Sequence, residues 1–102
     1  MQHLTYGYTS VLVSDSVADV VLAYAAALSQ SRLSDVVTVP TTDFSGLPSS
    51  SRMLLAPGIA LMSEPAPDDV LEAEERAFVA ELRARIVAVL AAGAVAPSRS
   101  TM

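Results

Sequence analysis

A helical apolar stripe between two β-rich segments constrains the fold of this chain more than any other feature. Ser16, with Asp19 three positions later, fits a capping box and predicts the start of the helix. We expect the helix to end near Ser31 or Arg32, and the buried Tyr24 to direct its hydroxyl at a polar partner. The stripe has the spacing of one helix face and consists of Val17, Val20, Val21, Tyr24 and Leu28.

Short β-rich segments bounded by turn residues predict the strands. Residues 4–14 are either one strand or a short hairpin that turns at Gly7. Residues 35–40 and 52–56 are predicted to pair as a hairpin. Its long tip, residues 41–51, consists largely of turn-forming residues.

A second helix is predicted over residues 68–92, after a short extended piece at residues 59–62 that is a candidate fourth strand. Acidic residues crowd the first turns of this helix and arginines follow, which matches the helix macrodipole. Gly93 is the predicted stop, and residues 94–102 are predicted to form a flexible tail. The apolar stripe of this helix consists of Leu71, Phe78, Leu82, Ile86 and Val89.

The order β-α-β-β-α predicts one α+β domain, residues 1–93, in two layers. Both helices should pack on one face of a small, mainly antiparallel sheet. Strand alternation assigns to that face Thr9, Val11, Val13, Val37, Val39, Met53 and Leu55. The opposite face then carries one aliphatic side chain per strand, namely Leu12, Val36 and Leu54, beside Ser10, Thr38 and Arg52.

This apolar strip of Leu12, Val36 and Leu54 is the leading candidate for a functional surface. An apolar strip on an open sheet face usually needs a cover, so we expect a homodimer through this face or the docking of a partner protein. Two alternatives remain open. The assignment could be shifted by one residue, which would exchange the faces, or residues 41–51 or the tail could fold over the strip.

The inventory of catalytic side chains is small. The chain has no Cys, Lys, Asn or Trp, and its one histidine, His3, lies near the N-terminus, where we expect mobility. Thiolate nucleophiles, Cys-based zinc sites and Schiff-base lysines are therefore excluded. The carboxylates of Asp68, Asp69, Glu72 and Glu75 are typical of a helix N-terminus. No catalytic residue, metal ligand or cofactor is predicted, and an enzyme is the less favoured reading.

A small-molecule site is the alternative to an interaction surface. Tyr6, Tyr8, Arg52 and Glu64 would edge a cleft between the first strand, the Pro57-Gly58 loop and the last helix. The chain would then be a small-molecule-binding protein or a minor enzyme.

Charge and hydropathy restrict the partners. The formal net charge is −5 and the six arginines are scattered, which disfavours nucleic acids and anionic membranes. The longest apolar run, residues 86–96, is about half the ~20 residues of a membrane-spanning helix. No signal peptide is visible, and we expect a cytoplasmic protein.

The run LTYGYTSVLVSDSVADVVLAYA, followed later by LLAPGIALMSE, resembles small proteins of actinobacteria. The resemblance covers most of the chain, and the Ala- and Val-rich composition is compatible with a high-GC genome. Those proteins have no known activity, so the resemblance implies no functional residue.

Overall fold

The computed structural model describes residues 1–43, 45–66 and 75–100, with side chains described as far as residue 92. Within these ranges the chain has the predicted small α+β fold. Its first segment is the hairpin alternative rather than a single strand. The strands are β1 (Gln2–Tyr6), β2 (Thr9–Val13), β3 (Asp35–Thr42), β4 (Pro48–Leu55) and β5 (Leu61–Pro65), and the helices are α1 (Asp15–Gln30) and α2 (Arg76–Ser100).

The five strands form one sheet in the order β4-β3-β2-β1-β5, and every neighbouring pair is antiparallel. The pairs β1–β2, β1–β5 and β3–β4 are in register along their whole length. Strands β2 and β3, in contrast, meet only where Leu12 lies opposite Thr42. The sheet therefore consists of two well-paired blocks, β5-β1-β2 and β3-β4, that are joined at a single point.

Both hairpin turns have a clear chemical cause. Gly7, at φ +60°, occupies the first central position of the β1–β2 turn, where a type II′ turn requires a positive φ. The β3–β4 tip is shorter than predicted, because the Asp43 carboxylate accepts hydrogen bonds from the backbone N–H groups of Ser45 and Leu47, at 2.9 and 3.0 Å. Most of the segment predicted as a long tip thus belongs to β3 and β4, and Phe44 lies outside the described residues.

Helix α1 begins two residues earlier than the capping-box pattern predicts. Strand β2 ends at Val13, so Ser14 becomes the N-cap, and its hydroxyl accepts the N–H of Val17 at 3.3 Å. The predicted end is confirmed. Arg32 adopts φ +55°, and the N–H of Leu33 returns to the carbonyl of Leu28 at 2.9 Å, which closes the last turn.

Helix α2 does not end at Gly93 as predicted but continues to Ser100, through most of the expected tail. A glycine inside a helix costs about 1 kcal/mol relative to alanine, which neighbouring helix-forming alanines can offset. The predicted helix start lies outside the described residues, because residues 67–74 are not described.

The core lies between the helices and one face of the sheet, which we call the inner face. The face assignment predicted from alternation is correct for its central members, since Val13, Val37, Val39, Met53 and Leu55 are all buried. Val11 is half-buried and Thr9, beside the turn, is exposed. Both helices contribute to the same core, with Val17, Val21 and Leu28 from α1 and Val79 and Leu82 from α2.

A polar network ties the edge of this core together. Tyr24 is buried, as predicted, and its hydroxyl donates to the Asp35 carboxylate at 2.6 Å. Arg85 of α2 donates to the same carboxylate at 2.9 Å and also pairs with Glu81. Burial, then the neighbouring Asp35 carboxylate, raises the pKa of Tyr24 above its ordinary value of 10.0. Burial lowers the pKa of Arg85, but the carboxylates of Glu81 and Asp35 outweigh burial and raise it.

Candidate functional site

The face of the sheet that points away from the helices, here called the outer face, carries the exposed polar residues. One row of side chains crosses all five strands in register, and it consists of Glu64, His3, Leu12, Thr42 and Pro48. Directly opposite residues in such a row have Cβ atoms about 5 Å apart, so their side chains are neighbours. The row brings together β1 and β5, which are far apart in the sequence.

A cleft of about 580 Å³ opens on the outer face along this row. It lies where β2 and β3 share only the pair Leu12 and Thr42, because the two strands overlap only near their C-terminal ends. Leu12 contributes to its apolar floor, and the polar residues that line it include Thr5 and Ser10. We call this feature the acidic cleft.

The charges around the acidic cleft are one-sided. Glu64 lines it from β5 and Asp43 from the β3–β4 tip, whereas none of the described residues that line it is an arginine. His3 stands beside Glu64 as its direct cross-strand partner. Within the described ranges, neither Glu64 nor His3 takes part in an ion pair or a side-chain hydrogen bond. Both side chains are therefore available to a ligand.

A second feature of the outer face lies at the far end of the β3–β4 block. Val36 and Leu54 are direct cross-strand partners, and 49% and 45% of their surfaces are exposed. The next pair on this face is Thr38 and Arg52. These four residues are here called the apolar corner. It combines a pair of exposed aliphatic side chains with a guanidinium.

The structure divides the strip that the sequence predicts as one surface. Leu12 is half-buried in the acidic cleft, opposite Thr42. Thr42 is six residues along β3 from Val36, a distance of about 20 Å at the rise of a strand. Val36 and Leu54 therefore lie side by side, whereas Leu12 lies in a separate part of the outer face.

The predicted ligand set is also dispersed. Tyr6 packs against the core, and its hydroxyl donates to the backbone carbonyl of Leu54. Two strands separate β1 from β4, so this bond shows that the sheet curves around its inner face. Tyr8 is fully exposed in the turn after Gly7, and Arg52 belongs to the apolar corner. Glu64 alone lines the acidic cleft.

Sequence reasoning missed most of this cleft for identifiable reasons. His3, expected to be mobile, lies within β1 and is held between Leu12 and Glu64. The pairing of β1 with β5 leaves no local signal in either segment. A partial signal did exist, because His3 and Thr5 flank Leu4 and mark one polar side of β1.

No protein-family model matches the chain, and no curated protein or solved structure matches it. No residue role can therefore be transferred from a relative. In the ranges that the structure describes, no group of three or more His, Asp or Glu side chains is placed to hold a metal ion. Asp68, Asp69 and Glu72 lie outside those ranges. Neither helix, as far as it is described, is long and apolar enough to cross a membrane.

Proposed function

We propose that this chain is a non-enzymatic interaction module that forms a homodimer through the outer face of its sheet. The observation that carries the proposal is the apolar corner, where Val36 and Leu54 expose about half of their surfaces side by side. Burying exposed aliphatic surface against a second copy would stabilise the complex by roughly 25 cal/mol per Å² of apolar area.

Charge complementarity favours a second copy as the partner. Arg52 and Glu64 lie on the two edge strands of the sheet, β4 and β5, and neither has an ion-pair partner among the described residues. In a dimer with two-fold symmetry, β4 of each copy would lie against β5 of the other. Arg52 of each copy would then face the acidic cleft of its partner, so the same contact would form twice.

The decisive variant is Leu54→Glu, which places a charge in the middle of the apolar corner. We expect the wild-type chain to show a dimer mass at tens of micromolar by light scattering, and Leu54→Glu to show the monomer mass. Leu33→Glu is the matched control, because Leu33 has the same exposure, 45%, but lies after α1 and away from the outer face. A wild-type monomer at all concentrations, or equal effects of the two variants, would refute the dimer.

A charge exchange tests the proposed register separately. Arg52→Glu should weaken the dimer, because it sets a carboxylate against the acidic cleft of the second copy. The double variant Arg52→Glu with Glu64→Arg should restore it, since the same pair forms with reversed charges. Failure of the double variant to restore a dimer that Arg52→Glu has weakened would show that β4 of one copy does not meet β5 of the other.

Small-molecule binding is a second candidate function, and the acidic cleft is the specific observation that favours it. A volume of about 580 Å³ falls within the roughly 300–1,000 Å³ of ordinary ligand sites. An apolar floor with a few polar groups around it is also typical of such sites. A ligand screen by thermal shift, with Glu64→Gln as the comparison variant, tests this function. A flat response across metabolite classes would count against it.

A further inference from the structure

We infer that the acidic cleft binds an aliphatic α,ω-diamine, a dication whose two ammonium groups are joined by an alkyl chain. The inference rests on the second candidate function, small-molecule binding, and it competes with the homodimer, which would set Arg52 of a second copy against the same cleft. Three properties of the cleft carry it: the positions of its two carboxylates, the chemistry of its floor and the absence of arginine from the described residues that line it.

The two carboxylates stand on opposite walls. Glu64 projects from β5, whereas Asp43 follows directly after β3, and β1 and β2 lie between them. Three strand spacings separate the two backbones by about 14 Å. A single ammonium group cannot reach both walls. Two ammonium groups on one chain can.

The wall at Asp43 is rigid, which favours binding at a fixed spacing. One carboxylate oxygen of Asp43 is held by the N–H groups of Ser45 and Leu47, and the second oxygen makes no described hydrogen bond. The free oxygen is therefore available as an acceptor for a ligand. A preformed acceptor lowers the entropic cost of ordering the site.

The floor between the walls suits an alkyl chain. Leu12 lies at the centre of the row, opposite Thr42, and Thr5 also lines the cleft. Burying a methylene group contributes about 0.8 kcal/mol. The hydroxyl of Ser10, another lining residue, can accept an ammonium N–H bond.

Other ligand classes fit this chemistry less well. An anion would meet two carboxylates with no arginine among the described lining residues, in a chain whose net charge is −5. A metal ion would need three or more close ligands, which the described residues do not provide. A neutral diol could use the hydroxyls and the floor but would leave both carboxylates without a counter-charge.

The test is a chain-length series measured by calorimetry at pH 8 and constant ionic strength. The probes are the diamines from 1,3-diaminopropane to 1,8-diaminooctane, with n-butylamine and 1,4-butanediol as the monocation and neutral controls. We expect an affinity maximum at one length within the series and weaker binding of both controls. Equal affinities for the monoamine and the best diamine, or no binding of any diamine, would overturn the inference.

Two isosteric variants locate the site. Glu64→Gln removes one charge, and Asp43→Asn removes the other while keeping a side-chain oxygen for the turn. Each should weaken the best diamine by about 3- to 10-fold. Asp19→Asn is the matched control, since it makes the same change of net charge on the exposed side of α1. An equal loss in Asp19→Asn would reduce the effect to overall charge and overturn the inference.

One further arm separates this inference from the proposed functions. Leu54→Glu leaves the acidic cleft intact, and it should bind the best diamine at least as tightly as the wild-type chain, because no Arg52 of a second copy would then compete for Glu64. If the wild-type chain proves monomeric and the series still shows its maximum, the homodimer fails and the diamine site stands. A third outcome is that no diamine binds, while another metabolite class binds in the thermal-shift screen and loses affinity in Glu64→Gln. Small-molecule binding at the acidic cleft would then stand, and the diamine assignment would be wrong.

Discussion

The two faces of the β3–β4 block carry nearly the same aliphatic side chains in different surroundings. Leu54 and Leu55 are sequence neighbours, yet 45% of the first is exposed and 1% of the second. Val36 and Val37 repeat the contrast, at 49% and 2%. Residue type therefore does not decide what these positions do. Alternation along the strand decides it, because the helices cover only the inner face.

Within the β3–β4 hairpin, the inner-face residues stabilise the fold, and we propose that the outer-face residues serve recognition. The inner members lie in the core with both helices, so replacing them removes packing that the folded chain needs. The outer members contribute less to the stability of a single copy, because about half of each side chain stays in water. We propose that a second surface covers them.

The largest expected effect comes from truncating the two leucines. Leu55→Ala should lower the free energy of unfolding by about 2–5 kcal/mol, because it leaves a cavity in a packed core. Leu54→Ala should cost less than about 1 kcal/mol in dilute, monomeric protein. Urea denaturation of both variants measures the difference. Similar losses in both would show that the two faces are equally buried.

A smaller effect is expected from exchanging valine for threonine, which keeps the shape and adds a hydroxyl. Val37→Thr should lower the free energy of unfolding by about 1–3 kcal/mol, since it buries a hydroxyl in the core without a hydrogen-bond partner. Val36→Thr should change the free energy of unfolding by less than about 0.5 kcal/mol. The midpoints of thermal unfolding rank the two variants, and a larger loss at Val36 would contradict the face assignment.

The smallest expected effect concerns the polar border of the core. Tyr24→Phe should cost about 1 kcal/mol at neutral pH, because it removes the hydrogen bond to Asp35. Tyr8→Phe, in the exposed turn, is the control and should leave the stability at neutral pH unchanged.

The same bond predicts an alkaline dependence of stability. Because the pKa of Tyr24 is raised in the folded chain, its contribution is complete below about pH 10 and is lost as the pH rises through the raised value. The free energy of unfolding should therefore fall above about pH 10, and less steeply in Tyr24→Phe. Urea unfolding at a series of alkaline pH values measures both slopes, and identical slopes would show that Tyr24 is not the group responsible.

Local sequence patterns correctly predicted the features that depend only on residues close together in the sequence. The 3.6-residue period of Val17 to Leu28 identified the buried side of α1, and strand alternation separated Leu54 from Leu55 before any coordinates. The misplaced helix start has a local cause as well. Ser14 and Ser16 are both good N-cap residues. Because β2 ends at Val13, the helix begins directly after it and Ser14 is the N-cap.

The candidate site depends on contacts that no local pattern contains. The acidic cleft needs β5 beside β1, and a single bridge between β2 and β3, to bring Glu64, Leu12 and Asp43 around one space. For the same reason the predicted strip was divided. Alternation places Leu12 and Val36 on the same face but does not specify the register of β3 against β2.

The position of β5 also has a consequence for how the molecule assembles. The β1–β2 and β3–β4 hairpins join neighbouring segments, whereas Gln2 pairs with Pro65 across most of the sheet-forming sequence. Closing so long a loop is entropically costly and slows folding relative to local pairing. We expect the hairpins to form early in refolding and β5 to dock late. Glu64 would then reach its place only at the end, so any ligand of the cleft would bind the completed chain and not its folding intermediates.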